Sequence, residues 1–147
     1  MTPLFALFIP YNFTQDASDP AYQIAISMMQ PTYKNYFDEG NHIIGLAQVR
    51  LDQDQYHELI AFPVENDDAK DGLLCDLNRL CPHYVIRVGQ KKVDLLGVLY
   101  GWKVNRGDRI LNGFYTLQAY TTPEKNPDYY QEYAYDPLAH EYKPVGP

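Results

Sequence analysis

The sequence is poor in the serine and cysteine side chains that many enzymes use as nucleophiles. Two cysteines, Cys75 and Cys81, and two serines, Ser18 and Ser27, are spread over 147 residues with four histidines and one tryptophan. So few cysteines exclude a disulfide-dense framework and fit a reducing, cytosolic setting. Neither serine sits in a nucleophile elbow, and glycine-rich phosphate loops are absent. No apolar run approaches the roughly 20 residues a bilayer-spanning helix needs. The Pro3–Ile9 run lacks a basic leader and a small-residue cleavage site, so it reads as a strand rather than a signal peptide. Asn12-Phe13-Thr14 forms a glycosylation sequon, relevant only to a secreted protein.

Tyrosine and acid are abundant. Fourteen tyrosines accompany 19 Asp and Glu against 12 Lys and Arg, giving a net charge of −7. The basic residues are not evenly spread. Arg79 to Arg109 holds seven of them against two acids, a net +5, so the rest of the chain sums to −12. Two poles of opposite sign bear on partners and on association rates, not on fold.

Hydrophobic periodicity gives the elements. Leu4–Ile9 is an apolar strand. Asp19-Pro20 is an N-cap and first helical position, followed by a stripe of Tyr22, Ile26, Met29, Tyr33 and Tyr36 that ends at Gly40, with Pro31 expected to kink or split the helix. Ile43–Leu51 and Tyr56–Val64 read as a hairpin closed by residues 52–55. A second helix is expected from an Asn66 cap to Pro82, with Leu73, Leu77 and Leu80 as its core stripe. His83–Val88 and Lys91–Lys103 form a hairpin arm around Gly89-Gln90, and Asn105–Asp108 turns the chain into a strand over 109–120. This order predicts an α+β fold of the ferredoxin-like split βαβ type (βαββαβ), as a single domain over residues 1–122, with an appended hairpin arm. Residues 123–147 lack aliphatic periodicity and read as an irregular, acidic, Tyr/Pro-rich tail packed on that domain.

Each candidate site has a plainer alternative. Asp52, Asp54, His57 and Glu58 include the types for acid–base or metal-assisted hydrolysis, yet they read better as a solvated hairpin tip. Pairing Leu51 with Tyr56 places His57 opposite Arg50. Cys75, Cys81 and His83, with His57 or His42, match no zinc spacing, so neither metal nor cofactor is expected. Arg87, Lys91, Lys92, Lys103 and Arg106, interleaved with Tyr100 and Trp102, resemble a single-strand nucleic-acid groove, or else are neutralised by the chain's own acids. Arg106-Gly107-Asp108 reads as a turn.

The leading expectation is a small cytoplasmic, non-enzymatic protein-binding module, an inhibitor, immunity or adaptor protein that masks a basic site on another protein. Asp67, Asp68 and Asp71 would steer that partner, and Tyr129, Tyr130, Tyr133 and Tyr135 would anchor it. Nucleic-acid or nucleotide binding through the 79–109 arm is the alternative. The two charge poles also permit a homodimer.

Overall fold

The computed structural model describes residues 9, 11–38, 43–53, 57–63, 81–121 and 129–146. Within them the chain is mostly β. A short strand β1 (Asn12–Thr14) precedes helix α1 (Pro20–Asp38), and eight strands follow: β2 (Ile44–Val49), β3 (Glu58–Pro63), β4 (Cys81–Val88), β5 (Val93–Gly101), β6 (Lys103–Leu111), β7 (Phe114–Tyr120), β8 (Tyr130–Asp136) and β9 (Glu141–Pro144).

The strands form two antiparallel sheets, ordered β1-β2-β3-β4-β5 and β6-β7-β8-β9. Every neighbour in each sheet is also a neighbour in sequence. This overturns the ferredoxin-like expectation, which requires parallel central strands brought together by crossovers. The tail is corrected with it, because residues 130–136 and 141–144 are strands of the second sheet. The expected strand over 4–8 and the body of the second helix, residues 66–80, lie outside the described residues. At the end of that expected helix, Cys81 and Pro82 belong to β4.

Three layers result. Helix α1 lays Tyr22, Ala25 and Met29 on one face of the first sheet, against Ile44, Leu46, Leu59, Ala61, Tyr84 and Ile86. The opposite face supplies Ala47, Val49, Ile60, Val85 and Leu99, which pack against Val104, Leu117, Ala119 and Tyr142 of the second sheet. Strand β3 is therefore covered on both sides and buried along its length. The apolar run Leu59–Phe62 follows from that position, since successive side chains point to opposite faces. A strand buried on both faces lacks polar alternation in any topology, and the run does not require a parallel sheet.

Local signals explain the element boundaries. Asp19 Oδ1 accepts the Ala21 amide at 2.9 Å, capping α1 as the Asp-Pro pair implies. Pro31 lies within α1, which runs unbroken to Asp38. Val49 pairs with Glu58, the same register that sets Arg50 opposite His57.

The arm differs most from expectation. Val88 pairs with Val93, so residues 89–92 form a four-residue turn, closed by Gly89 N–H donating to the Lys92 carbonyl at 2.9 Å. The expected strand over 91–103 breaks at Trp102, where the chain passes from the first sheet to the second. A Cβ on Gly101 would approach the Tyr120 carbonyl oxygen to 2.8 Å, so the smallest residue sits at that corner. Residues 105–108 lie inside β6, which is irregular against β7 between Arg106 and Ile110, and they are not the turn. The turn is Asn112-Gly113, with φ of 57° and 86° between the paired residues Leu111 and Phe114. Two positive φ values in a two-residue loop define a type I′ hairpin.

Candidate functional site

The basic stretch is largely engaged by the protein itself. Arg87 stands in a cross-strand row between Glu58 on β3 and Asp94 on β5. Its guanidinium is 3.4 Å from Asp52 Oδ2 and 5.6 Å from the centroid of the Phe114 ring. Lys92 Nζ lies 3.7 Å from Asp94. Arg109 donates through both Nε and a terminal nitrogen to the Glu132 carboxylate on β8. Arg106 stacks 3.8 Å over Tyr115 and donates to the Arg50 carbonyl at 3.2 Å. Lys91 is exposed on the β4–β5 turn.

Two members of the acid–base group at the β2–β3 connection, Asp52 and Glu58, are buried rather than part of a solvated tip. Glu58 is fully buried and Asp52 is 7 % exposed, while His57 faces solvent. Glu58 Oε1 accepts the Leu51 amide at 2.7 Å, so this carboxylate closes the backbone where β2 ends. Nearby, Tyr142 donates to the Tyr115 carbonyl at 2.8 Å. Burial, then the charges of Glu58 and Asp52, push its phenol well above the ordinary tyrosine range. Asp54 lies outside the described residues.

Among the described residues no cluster of three or more His, Cys, Asp or Glu side chains is arranged to hold a metal ion. Cys75 and His42 lie outside the described residues. His83 is buried against the rings of Phe62, at 4.8 Å, and Tyr11, at 6.1 Å. Ser18 donates to Asp16 and Ser27 to the Ile24 carbonyl, so both hydroxyls serve local structure. No helix among the described residues is long and apolar enough to cross a membrane.

The tyrosines of β8 divide by strand parity. Tyr133 and Tyr135 are half-buried against the core between the sheets, and Tyr130, an odd number of residues away, turns outward. Tyr130 is 40 % exposed and Tyr129, just before the strand, 50 %. Asp67, Asp68 and Asp71 lie outside the described residues.

On the outer face, register brings together residues distant in sequence. Lys103, Tyr120 and Tyr130 form one cross-strand row over β6, β7 and β8. The Tyr120 centroid is 5.7 Å from that of Trp102 and 5.4 Å from that of Tyr130. Lys103 Nζ lies 4.8 Å from the Trp102 ring and 4.4 Å from the Tyr120 ring, within cation–π range. Tyr100, 53 % exposed, stands two residues before Trp102 at the end of β5. The resulting strip of three neighbouring rings, two of them beside one ammonium, joins Trp102 and Lys103 from the basic arm to Tyr130 from the tail. Tyr120 completes it, and only its place opposite Lys103 and Tyr130 in the correct register reveals that role. No family model, curated protein or solved structure matches the chain.

Proposed function

We propose that this chain is a non-enzymatic protein-binding module whose contact surface is the strip formed by Trp102, Lys103, Tyr120 and Tyr130, with Tyr129 and Tyr100 beside it. The observation that carries this reading is the cross-strand row of rings, continued by tyrosines that are 40–53 % exposed. Large, stiff side chains lose little conformational freedom on binding, and Tyr and Trp are enriched among residues that anchor interfaces. A net charge of −7 favours a partner with a basic surface, as an inhibitor, immunity or adaptor protein would meet.

The same geometry weighs against a polyanion. Arg87, Lys92 and Arg109 are paired with Asp52, Asp94 and Glu132. Phosphates would have to displace those carboxylates before gaining contact with these three side chains, which lowers the counterion release available to the complex.

Affinity purification from the native host with mass spectrometry tests the proposal. A protein retained by the unmodified chain and lost by the Tyr129→Ser/Tyr130→Ser variant supports it, provided the variant keeps its circular dichroism spectrum. Retention of the same protein by that variant overturns the assigned surface. A gel shift with single-stranded nucleic acid at low salt, abolished by Lys91→Glu/Lys92→Glu, would establish the nucleic-acid reading in its place.

A further inference from the structure

The shape of the ring strip on the outer face of the second sheet restricts what can lie on it. It is one row wide. Two residues along each strand, on the same face, stand Asn105, Gln118 and Glu132, which are themselves paired across β6, β7 and β8. Asn105 and Gln118 are buried and Glu132 holds Arg109, so this second row is a polar margin to the rings. Gln118 Oε1 also accepts from the Tyr120 hydroxyl at 3.3 Å, which ties the middle ring to that margin.

The rings do not form a flat platform. Trp102 and Tyr120 are inclined at 58°, and Tyr120 and Tyr130 at 51°. Tilted rings leave notches between them, not the parallel faces on which successive bases stack. Lys103 Nζ already lies over the Trp102 and Tyr120 rings, so a cationic side chain from a partner would meet that ammonium there.

These features decide among backbone conformations. A β-strand laid across a sheet face cannot pair with it and would leave its inward N–H groups without acceptors. A helix satisfies its own backbone, but it is a cylinder about 10 Å across with a broad apolar stripe, wider than one row of rings. A proline-rich segment avoids both difficulties. Its prolines have no N–H to leave unpaired, its section is narrow, and its pyrrolidine rings fit between aromatic side chains. Its carbonyls make no internal hydrogen bonds, and Lys103, the one charged member of the row, is placed to donate to them.

We infer that the strip recognises a proline-rich segment of the partner, extended as a polyproline II helix along the row from Tyr130 to Trp102. This rests on the reading of the strip as the contact surface and names the chemistry that the surface takes. The overall negative charge acts at long range on approach, and the ammonium acts at contact. Because such a segment is stiff before it binds, little order is lost on binding.

Trp102 is the only tryptophan in the chain, so its fluorescence reports directly on the strip. Titration of the full-length protein with decaproline and with an alternating Ala-Pro decapeptide should change that emission saturably. A Gly-Ser decapeptide and an Ala-rich helical peptide should bind about tenfold more weakly or less. Tyr130→Ser and Tyr120→Leu should each weaken decaproline about tenfold, the loss typical of an anchoring ring. Lys103→Met should weaken it about threefold, the effect of one hydrogen bond. Tyr130→Ser alters an exposed position and keeps the test decisive if Tyr120→Leu does not fold. Lys91→Glu/Lys92→Glu, at the opposite end of β5 from the corner, should leave the affinity unchanged. Three results would each overturn the inference: no saturable binding of either proline peptide, equal affinity for either control peptide, or full affinity in Tyr130→Ser. If a partner protein is still retained through Tyr129 and Tyr130 while both proline peptides fail, the strip stands as the contact surface and only its proline-rich occupant is overturned.

Discussion

The Phe62 ring on β3 lies directly over Gly45 on β2, filling the space that a side chain at position 45 would need. Gly45→Ala should therefore destabilise the protein by about 1–3 kcal/mol, the usual cost of overpacking a core. Adding Phe62→Leu should recover part of that loss. Urea denaturation of the two single variants and the pair would measure it, and additive costs would show that the ring contact is not the cause.

Glu58 makes a second structural prediction. Its carboxylate accepts the Leu51 amide inside the protein, so Glu58→Ala strands a buried donor. We expect a loss of about 1–3 kcal/mol. Glu58→Gln retains an acceptor oxygen and should cost less. Equal denaturation midpoints for the two variants would remove the capping role.

Alkaline pH should unfold the protein from a defined point. Burial pushes the phenols of Tyr11 and Tyr142 well above their ordinary value near 10. Both groups stay protonated in the folded state while the unfolded chain ionises. Their contribution is complete below pH 10 and is lost as pH rises towards the folded values. Between pH 10 and 11 each buried phenol should add up to about 1.4 kcal/mol per pH unit to the decline. Tyr142→Phe should flatten that slope, measured by denaturation at several pH values, and tyrosinate absorbance should rise together with loss of structure.

The β6–β7 turn offers a backbone test. Gly113 has φ of 86° and no atom near its missing side chain, so Gly113→Ala is penalised by conformation alone, by about 1–2 kcal/mol. Asn112 also donates from Nδ2 to the Tyr135 carbonyl at 2.9 Å, tying this turn to β8. Thermal melting of Gly113→Ala and Asn112→Ala would check both effects. No loss in Gly113→Ala would contradict the type I′ geometry.

Partner binding should weaken as salt rises if opposite charge steers the encounter, with the effect mainly on the association rate. Surface plasmon resonance across a salt series would show this. A rate independent of salt would leave the tyrosine anchors as the whole account.

Much of the local structure was legible. The Asp19-Pro20 cap, the β2–β3 register and the strand character of residues 83–88 and 114–120 follow from capping chemistry and alternation. Topology was not, because a strand covered on both faces looks alike whether helices or a second sheet cover it. The corner at Trp102 falls inside an apolar run that reads as one strand, and that single break moves everything after it to another layer. Asn112-Gly113, among the strongest short hairpin signals, was present in the sequence, and placing the turn at residues 105–108 displaced it. The site was half visible. Trp102 and Lys103 stand out together in the basic arm and Tyr130 in the tail, and only register across β6, β7 and β8 unites the two groups. The tail shows no aliphatic periodicity because β8 meets the core with Tyr133 and Tyr135, so rings do there what valine or leucine usually does.

The two β-layers are joined covalently through the corner at Gly101 and Trp102. A fragment ending there would keep every strand of the first layer while leaving Ala47, Val49, Ile60, Val85 and Leu99 without their cover. Such a half should be sticky and prone to self-assembly rather than a folded monomer, which makes the two layers a single cooperative unit during synthesis and in the cell.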